Sequence, residues 1–500
     1  SFLTITLPSY GEALDRALAT GCLQRSATPG FTWHRKGLPE FLRGFLLQVF
    51  DKSGLLLDAP SIDAIASLRQ ICYLFKKVNR DCAPRRVVTA LERYIDVEKE
   101  LGQAEPANDP EKRRAFRFVA GVVWSAITRG LPYGDPWEQL RPKHGPGATA
   151  ERIFGNAKFV FQHWPLRLED YFPYTEFGIG SIRNLGEEND PLSRLNFLDP
   201  TEEQPVRVVT VPKTLKGPRI IAIEPVSMQY AQQAILDVLV PLIERCKYTK
   251  DRVNFSNQGI NRSLAQSSSR CGKYATLDMK DASDRVHKDL VWEMLECIPR
   301  FRDYVFATRS TRANVLNSTI ELQKFASMGS ALCFPMEAMA FYCAIVADRC
   351  QRSGRPLTPR LVYRMSREVY VYGDDIIVPT DEAPQICTAL ESYRFKVNYS
   401  KSFWTGKFRE SCGMDAYDGQ DVTPVYVRHE LPAGRRDAER IVSTVSTANQ
   451  FYQKGYWHTA RLLRQEVERL LGKLPIGSLQ SEGLCWTSYL GLSEHRRWNR

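Results

Sequence analysis

A chain of 500 residues with 43% hydrophobic and 25% charged side chains carries enough apolar mass to bury a large core, which excludes a disordered chain and points to several subdomains. Its 68 lysines and arginines against 57 acids leave a formal charge of +11, which suits a polyanionic partner or simply a basic, solvated surface. Twelve scattered cysteines without a C-x-x-C pair exclude the usual zinc ribbons and read as reduced core thiols of a cytosolic protein.

In chain order, the opening residues run quickly into Pro8, Glu12 and Asp15 without a basic region and a long apolar stretch, so no secretory signal is expected. The absence of an initiator Met is expected to mark a processed or trimmed start. The first third reads as mainly helical. Phe41, Leu42, Phe45, Leu46, Leu47 and Phe50, and later Phe116, Val119, Val122, Val123 and Ile127, recur at spacings of three and four. Residues 105–110 form a turn-rich connector, and 132–205 is a less regular stretch rich in Pro, Gly and aromatics that includes Gly145-Pro146-Gly147-Ala148-Thr149.

From Val206 onward, strand signals at 206–211, 274–277, 369–372 and 376–378 alternate with helical ones, which predicts a sheet covered by helices. The longest apolar run, 331–347, contains Pro335 and Glu337, so it is expected to be a buried core helix and not a membrane span. Ile441, Val445, Leu462, Leu463, Val467, Leu470 and Leu471 give the last 70 residues a helical apolar face. There is no internal repeat and no low-complexity tract.

The chemistry concentrates in the second half. The segment 368–379 reads as two short strands joined by a tight turn at Gly373-Asp374, which puts Asp374 and Asp375 at a hairpin tip. Two adjacent carboxylates repel each other, and hard oxygen ligands of this kind suit Mg²⁺ or Mn²⁺; an ordinary polar turn is the plain alternative. Asp278 ends the strand-like run 273–278, and a third carboxylate converging there would complete a site for two metal ions. Asp284 is either the N-cap of the following helix, a role Ser283 fits equally, or a polar contact to a ribose 2′-hydroxyl.

Upstream, Lys213, Lys216 and Arg219 surround a Gly217-Pro218 turn and either converge on a triphosphate or remain solvated loop cations. Ser327 and Gly329 lie in a small Ser/Gly loop entering the long apolar helix, where nucleic-acid backbone can approach closely, or where a helix is simply capped. Lys401 is a candidate proton donor, or an ordinary surface lysine.

Taken in order, these segments resemble the motifs of RNA-dependent RNA polymerases, and most closely the replicase β-subunit of the positive-strand RNA bacteriophages, the levivirus family. The resemblance runs from about 206 to 428. Residues 211–225 look like the triphosphate-binding fingers motif, 278–284 the first metal motif, 327–329 the template and nucleotide loop, and 372–375 the second metal motif. Residues 408–413 and 421–428 are similar to the segments beyond, and 145–149 to a further stretch.

The resemblance implies an α+β right-hand polymerase with fingers, palm and thumb, the palm built on an antiparallel sheet. On that plan 1–130 is a helical N-terminal region bridging fingers and thumb, 131–269 the fingers, 270–428 the palm and 429–500 a helical thumb. It also implies primer-independent, two-metal nucleotidyl transfer on single-stranded RNA with nucleoside triphosphates and Mg²⁺ or Mn²⁺, in the cytoplasm of an infected bacterium. Host elongation factors Tu and Ts and a ribosomal protein are the implied partners. The rivals are a reverse transcriptase, against which Gly373 and the polar Asp284 speak, and a noncatalytic RNA-binding phage protein, which gives no reason for three carboxylates at strand ends.

Overall fold

The computed structural model describes residues 1–35, 37–103, 109–129, 140–179, 191–478, 481 and 483–489. Its helices and mainly antiparallel strands give an α+β fold that divides into two compact units, 1–87 with 212–218 and 422–500, and 88–211 with 219–421.

In the first unit, helices Leu7–Thr20 and Ile62–Tyr73 pack on each other around a buried ion pair. Arg69 bonds the Asp15 carboxylate, which also accepts from the Tyr73 hydroxyl at 2.7 Å, so the buried charge is paired and hydrogen-bonded. Helices Ala438–Gln453 and Trp457–Leu471 pack together through Ile441, Val445 and Val467, as the apolar spacing predicts. Helix stops at Leu471, however, and the chain continues into the two-residue strands Ile476–Gly477 and Trp486–Thr487. The helix expected across 41–50 shrinks to Arg43–Leu46, because Leu42 sits in the left-handed region at φ 59° and breaks the run. Most of the connector at 105–110 lies outside the described residues.

The second unit is built in chain order from α1 (Pro84–Gln103, whose first four residues belong to the first unit), α2 (Pro110–Arg129), β1 (Val206–Thr214) and β2 (Gly217–Ile223), whose linked ends at 212–218 belong to the first unit, α3 (Val226–Arg245) and α4 (Gly259–Cys271). These are followed by β3 (Tyr274–Asp278), α5 (Lys288–Met294), β4 (Arg312–Val315), β5 (Ser318–Glu321), α6 (Cys333–Arg352), β6 (Tyr370–Tyr372), β7 (Asp375–Pro379), α7 (Ala383–Ser392), β8 (Phe408–Ser411) and β9 (Met414–Tyr417).

Helix α6 is the apolar run read as a core helix, and it is buried on all sides from Met336 to Ala347. Pro335 falls in its first turn, where a missing N–H costs nothing. Ala338, Ala340 and Ala344 keep its surface low enough for α2, α5 and α7 to pack closely. Beside it lies the antiparallel sheet β3-β7-β6 with β7 in the middle. Tyr274, Ala275, Thr276 and Leu277 are all buried, so both faces of β3 are covered and burial does not alternate along the strand. A second sheet runs β2-β1-β4-β5. All twelve cysteines are free, but Cys271 and Cys297 are exposed, so the reading of core thiols holds for only part of the set.

Candidate active site

The hairpin β6-β7 closes through a two-residue turn, with Tyr372 opposite Asp375 and Gly373-Asp374 between them. Gly373 has φ +59°, the sign that a two-residue hairpin turn requires and that glycine adopts without strain. A side chain there would also run into the ring of Phe334, which packs edge-on against Tyr372 with centroids 5.4 Å apart. The turn is thus fixed from both sides, and it leaves Asp374 exposed and Asp375 as the first residue of β7.

Asp375 is the direct cross-strand partner of Asp278, the last residue of β3. Like charges in directly opposed positions destabilise a sheet, and both carboxyls are held above their ordinary range, chiefly by burial. Burial pushes Asp278 up to about 6, Lys401 pulls it back, Asp374 and Glu410 push it further, and a 2.6 Å hydrogen bond from Asn398 Nδ2 again favours the anion. Burial and the Asp374 charge push Asp375 up to about 7, with Asp278 and Glu410 adding to them and a backbone N–H from Cys412 opposing. The Ser411 hydroxyl donates to Asp375 Oδ1 at 3.3 Å.

The structure therefore brings Asp278, Asp374, Asp375 and Lys401 into one electrostatic neighbourhood, and it adds Glu410 and Asn398, which the sequence reading did not single out. Both lie in segments read for other features, and only the docking of β8 beside β3 and the bond from Asn398 N to Asp278 O at 2.8 Å reveal their place. Glu337 is a further addition: buried in α6, its carboxyl is held well above the usual range by desolvation, then by Asp374 and Asp284. Among the described residues no group of three or more His, Cys, Asp or Glu side chains is arranged to hold a metal ion, and no helix is long and apolar enough to cross a membrane.

The cations of the β1-β2 hairpin are divided between the units: Lys213 and Lys216 fall in the first, Arg219 in the second. The turn itself is Leu215-Lys216, two residues earlier than expected, and Gly217-Pro218 opens β2. Because β2 is an edge strand, a proline at its start loses no ladder bond. Lys213 and Arg219 are exposed, whereas Lys216 Nζ lies 2.6 Å from Glu12 Oε2. Although burial raises the Glu12 carboxyl, Lys76 and Lys216 together bring it below the ordinary range.

Asp284 sits in the short turn Ser283–Arg285 and does not cap the next helix. Val286 is extended, α5 begins only at Lys288, and the His287 ring accepts the N–H of Asp289 at 3.1 Å as the actual cap. The Asp284 carboxylate instead accepts from Lys324 Nζ at 2.9 Å. Ser327 is buried with its hydroxyl 2.8 Å from the Tyr94 hydroxyl. Gly329 has φ +132°, and a Cβ there would meet the carbonyl of Ala222, whose N–H bonds Met328 O at 2.8 Å. The glycine thus serves the close approach of the chain's own strand β2. Leu332, the N-cap position of α6, donates its N–H to Ser330 Oγ at 3.3 Å, and neither Ser327 nor Gly329 takes that role.

Residues 201–437 match the family model described as RNA replicase, beta-chain. The chain is similar to the RNA-directed RNA polymerase subunit beta of Qbeta virus (strain MX1), 34% identical over 353 residues, covering 68% of this chain and 56% of that protein. It is also similar to the corresponding subunit of Enterobacteria phage SP, 33% identical over 396 residues, covering 78% and 61%, and to the beta chain of Enterobacteria phage fr, 34% identical over 224 residues, covering 45% and 38%. The matched part spans less than two thirds of the length of each relative. Among solved structures, the RNA-dependent RNA polymerase from bacteriophage phi12 aligns with TM-score 0.43 and 11% identity over 86% of this chain and 76% of that one, a likeness too slight to assign residue roles.

Proposed function

From the RNA replicase β-chain pattern carried by residues 201–437, we propose that the chain is an RNA-directed RNA polymerase replicating a positive-strand RNA phage genome. The observation that carries the reading is the opposition of Asp278 and Asp375 across β3 and β7, beside a glycine turn that presents Asp374. Facing carboxylates are costly in a sheet, and a hard divalent cation would relieve the cost.

Asp278, Asp374 and Asp375 would hold two ions, Mg²⁺ or Mn²⁺, once their side chains converge from the present arrangement, in which no three carboxylates among the described residues are set to hold an ion; in chemistry the donor set suits them, being all-oxygen, anionic and mutually repelling. When bound, such ions would activate the attacking 3′-hydroxyl and neutralise charge on the transferring phosphoryl group. Asn398 holds Asp278 in place, and the Cys412 N–H and Ser411 hydroxyl hold Asp375. Lys213, Lys216 and Arg219 would receive the triphosphate, which has to compete with Glu12 for Lys216. Asp284 would accept a hydrogen bond from the ribose 2′-hydroxyl, with Ser327 and Gly329 shaping the loop beside it, and Lys401 would protonate the departing pyrophosphate.

On this reading 270–428 is the palm, 131–269 the fingers, 429–500 the thumb and 1–130 the region bridging fingers and thumb. Initiation is primer-independent, the location is the cytoplasm of the infected bacterium, and host elongation factors Tu and Ts and a ribosomal protein are the partners. The test is incorporation of labelled nucleotides on single-stranded RNA with Mg²⁺, comparing ribonucleotides with deoxyribonucleotides. Template-dependent product from ribonucleotides is expected; efficient incorporation of deoxyribonucleotides would instead support a reverse transcriptase.

A further inference from the structure

Lys324 has a side chain with no exposed surface, although a buried ammonium is costly unless it is fully paired. Its Nζ lies 2.9 Å from Asp284 Oδ1 and 3.1 Å from Glu98 Oε1, and 3.4 Å from the centre of the Tyr94 ring. Burial opposes the charge, but Asp284, Tyr94 and Glu98 outweigh it and hold the lysine protonated. Glu98 Oε2 also accepts the backbone N–H of Gln323 at 2.5 Å, so α1 fixes the main chain beside the lysine as well as its ammonium.

The same helix reaches the neighbouring loop. Tyr94, one turn before Glu98, lays its ring over the ammonium and its hydroxyl 2.8 Å from Ser327 Oγ. One buried cluster thus fixes two residues from separate parts of the chain, Asp284 and Ser327. Asp284 is only partly enclosed, with 23% of its side chain exposed, and its Oδ2 makes no hydrogen bond to a described residue. With Oδ1 committed to the lysine, Oδ2 is the acceptor left for a ligand. A buried ion pair adds little net stability compared with apolar packing, so geometry is the better reason for keeping one here.

We propose that Lys324, with Tyr94 and Glu98, is a positioning cage that fixes Asp284 and Ser327 beside the incoming sugar and so sets the preference for ribonucleotides over 2′-deoxyribonucleotides. It rests on Asp284 being the ribose contact. A ribose hydroxyl satisfies Oδ2, whereas a deoxyribose leaves a partly desolvated carboxylate oxygen without a partner, and sites of that kind discriminate strongly. Without Lys324 the carboxylate is free to rotate, and the penalty for the missing hydroxyl falls.

The experiment is single-nucleotide incorporation on an RNA template by the full chain, reading kcat/KM for ATP against dATP. Lys324→Met is expected to reduce that ratio by about tenfold or more, chiefly through a higher KM for ATP, and Asp284→Ala to reduce it at least as much. Tyr94→Phe, which keeps the ring over the ammonium and removes only the contact to Ser327, is expected to give a smaller reduction of the same kind. A parent-like ratio in Lys324→Met alongside a collapsed ratio in Asp284→Ala overturns the cage and leaves the ribose contact standing. A parent-like ratio in Asp284→Ala overturns the ribose contact and the cage with it. Should Lys324→Met fail to fold, an unchanged ratio in Tyr94→Phe overturns the cage.

Discussion

Acids withdrawn from solvent in the second unit meet the cost of desolvation in different ways. Asp278 and Asp375 oppose each other next to an exposed turn, where an ion can relieve them. Glu224 has no such outlet: it is buried, its carboxyl is raised by desolvation to about 7, and the Ser310 hydroxyl and Gln232 only partly offset that burial. Its folded-state value lies above the ordinary 4.5, so the protonated form favours the fold. Stability from this group is fully present below pH 4.5 and is lost as pH rises through 7. Since a tenfold change in proton affinity is worth about 1.4 kcal/mol, the loss is at most about 3.5 kcal/mol. Urea unfolding of Glu224→Gln and the parent at pH 5 and pH 7.5 is expected to show the variant gaining relative stability at the higher pH. An identical difference at both values would contradict the assignment.

Asp278, Asp374 and Asp375 were legible because they lie at the ends of short β-branched or aromatic runs, Asp375 opening one, a position that needs no knowledge of the fold. Tyr94 and Ser327 are 233 positions apart, and no local pattern announces that they touch. The pairing of Asp284 with Lys324 was likewise hidden, and without it a helix cap was the natural expectation for an aspartate just ahead of an apolar run. Glu410 could be placed beside Asp278 only once β8 docked against β3.

Among the elements, the β6-β7 hairpin depends most on a single residue. Gly373→Ala would carry a left-handed backbone cost of about 1–2 kcal/mol, plus displacement of the Phe334 ring. The variant is expected to melt at lower temperature and to lose most nucleotide incorporation, because Asp374 and Asp375 shift with the turn. The double variant Gly373→Ala with Phe334→Leu is expected to recover part of the melting temperature, by removing the ring contact but not the backbone strain. If Gly373→Ala melts and incorporates like the parent, the turn is not the determinant described. The strands around this hairpin were legible because their apolar runs are short and punctuated by Gly, Pro or charge, and α6 because its apolar run is long but carries Pro335 and Glu337. The segment 41–50 was not: its apolar spacing fits a helix, but the left-handed backbone at Leu42 leaves only one turn.

At the scale of the whole molecule, the chain combines a basic balance of +11, which favours a polyanionic partner, with a carboxylate centre. An α+β fold was readable from the alternation of strand and helix signals after Val206. The division of the chain into units was not: it joins the N-terminal helices, the tip of the β1-β2 hairpin and the C-terminal helices, three stretches with no common sequence pattern. The most direct test of the central claim is template-directed ribonucleotide incorporation by the full chain and its Asp374→Asn variant, with RNA binding measured alongside. The variant is expected to lose incorporation by about a hundredfold or more while binding RNA like the parent, since backbone charge elsewhere dominates binding. Incorporation by Asp374→Asn at the parent's rate would contradict that claim.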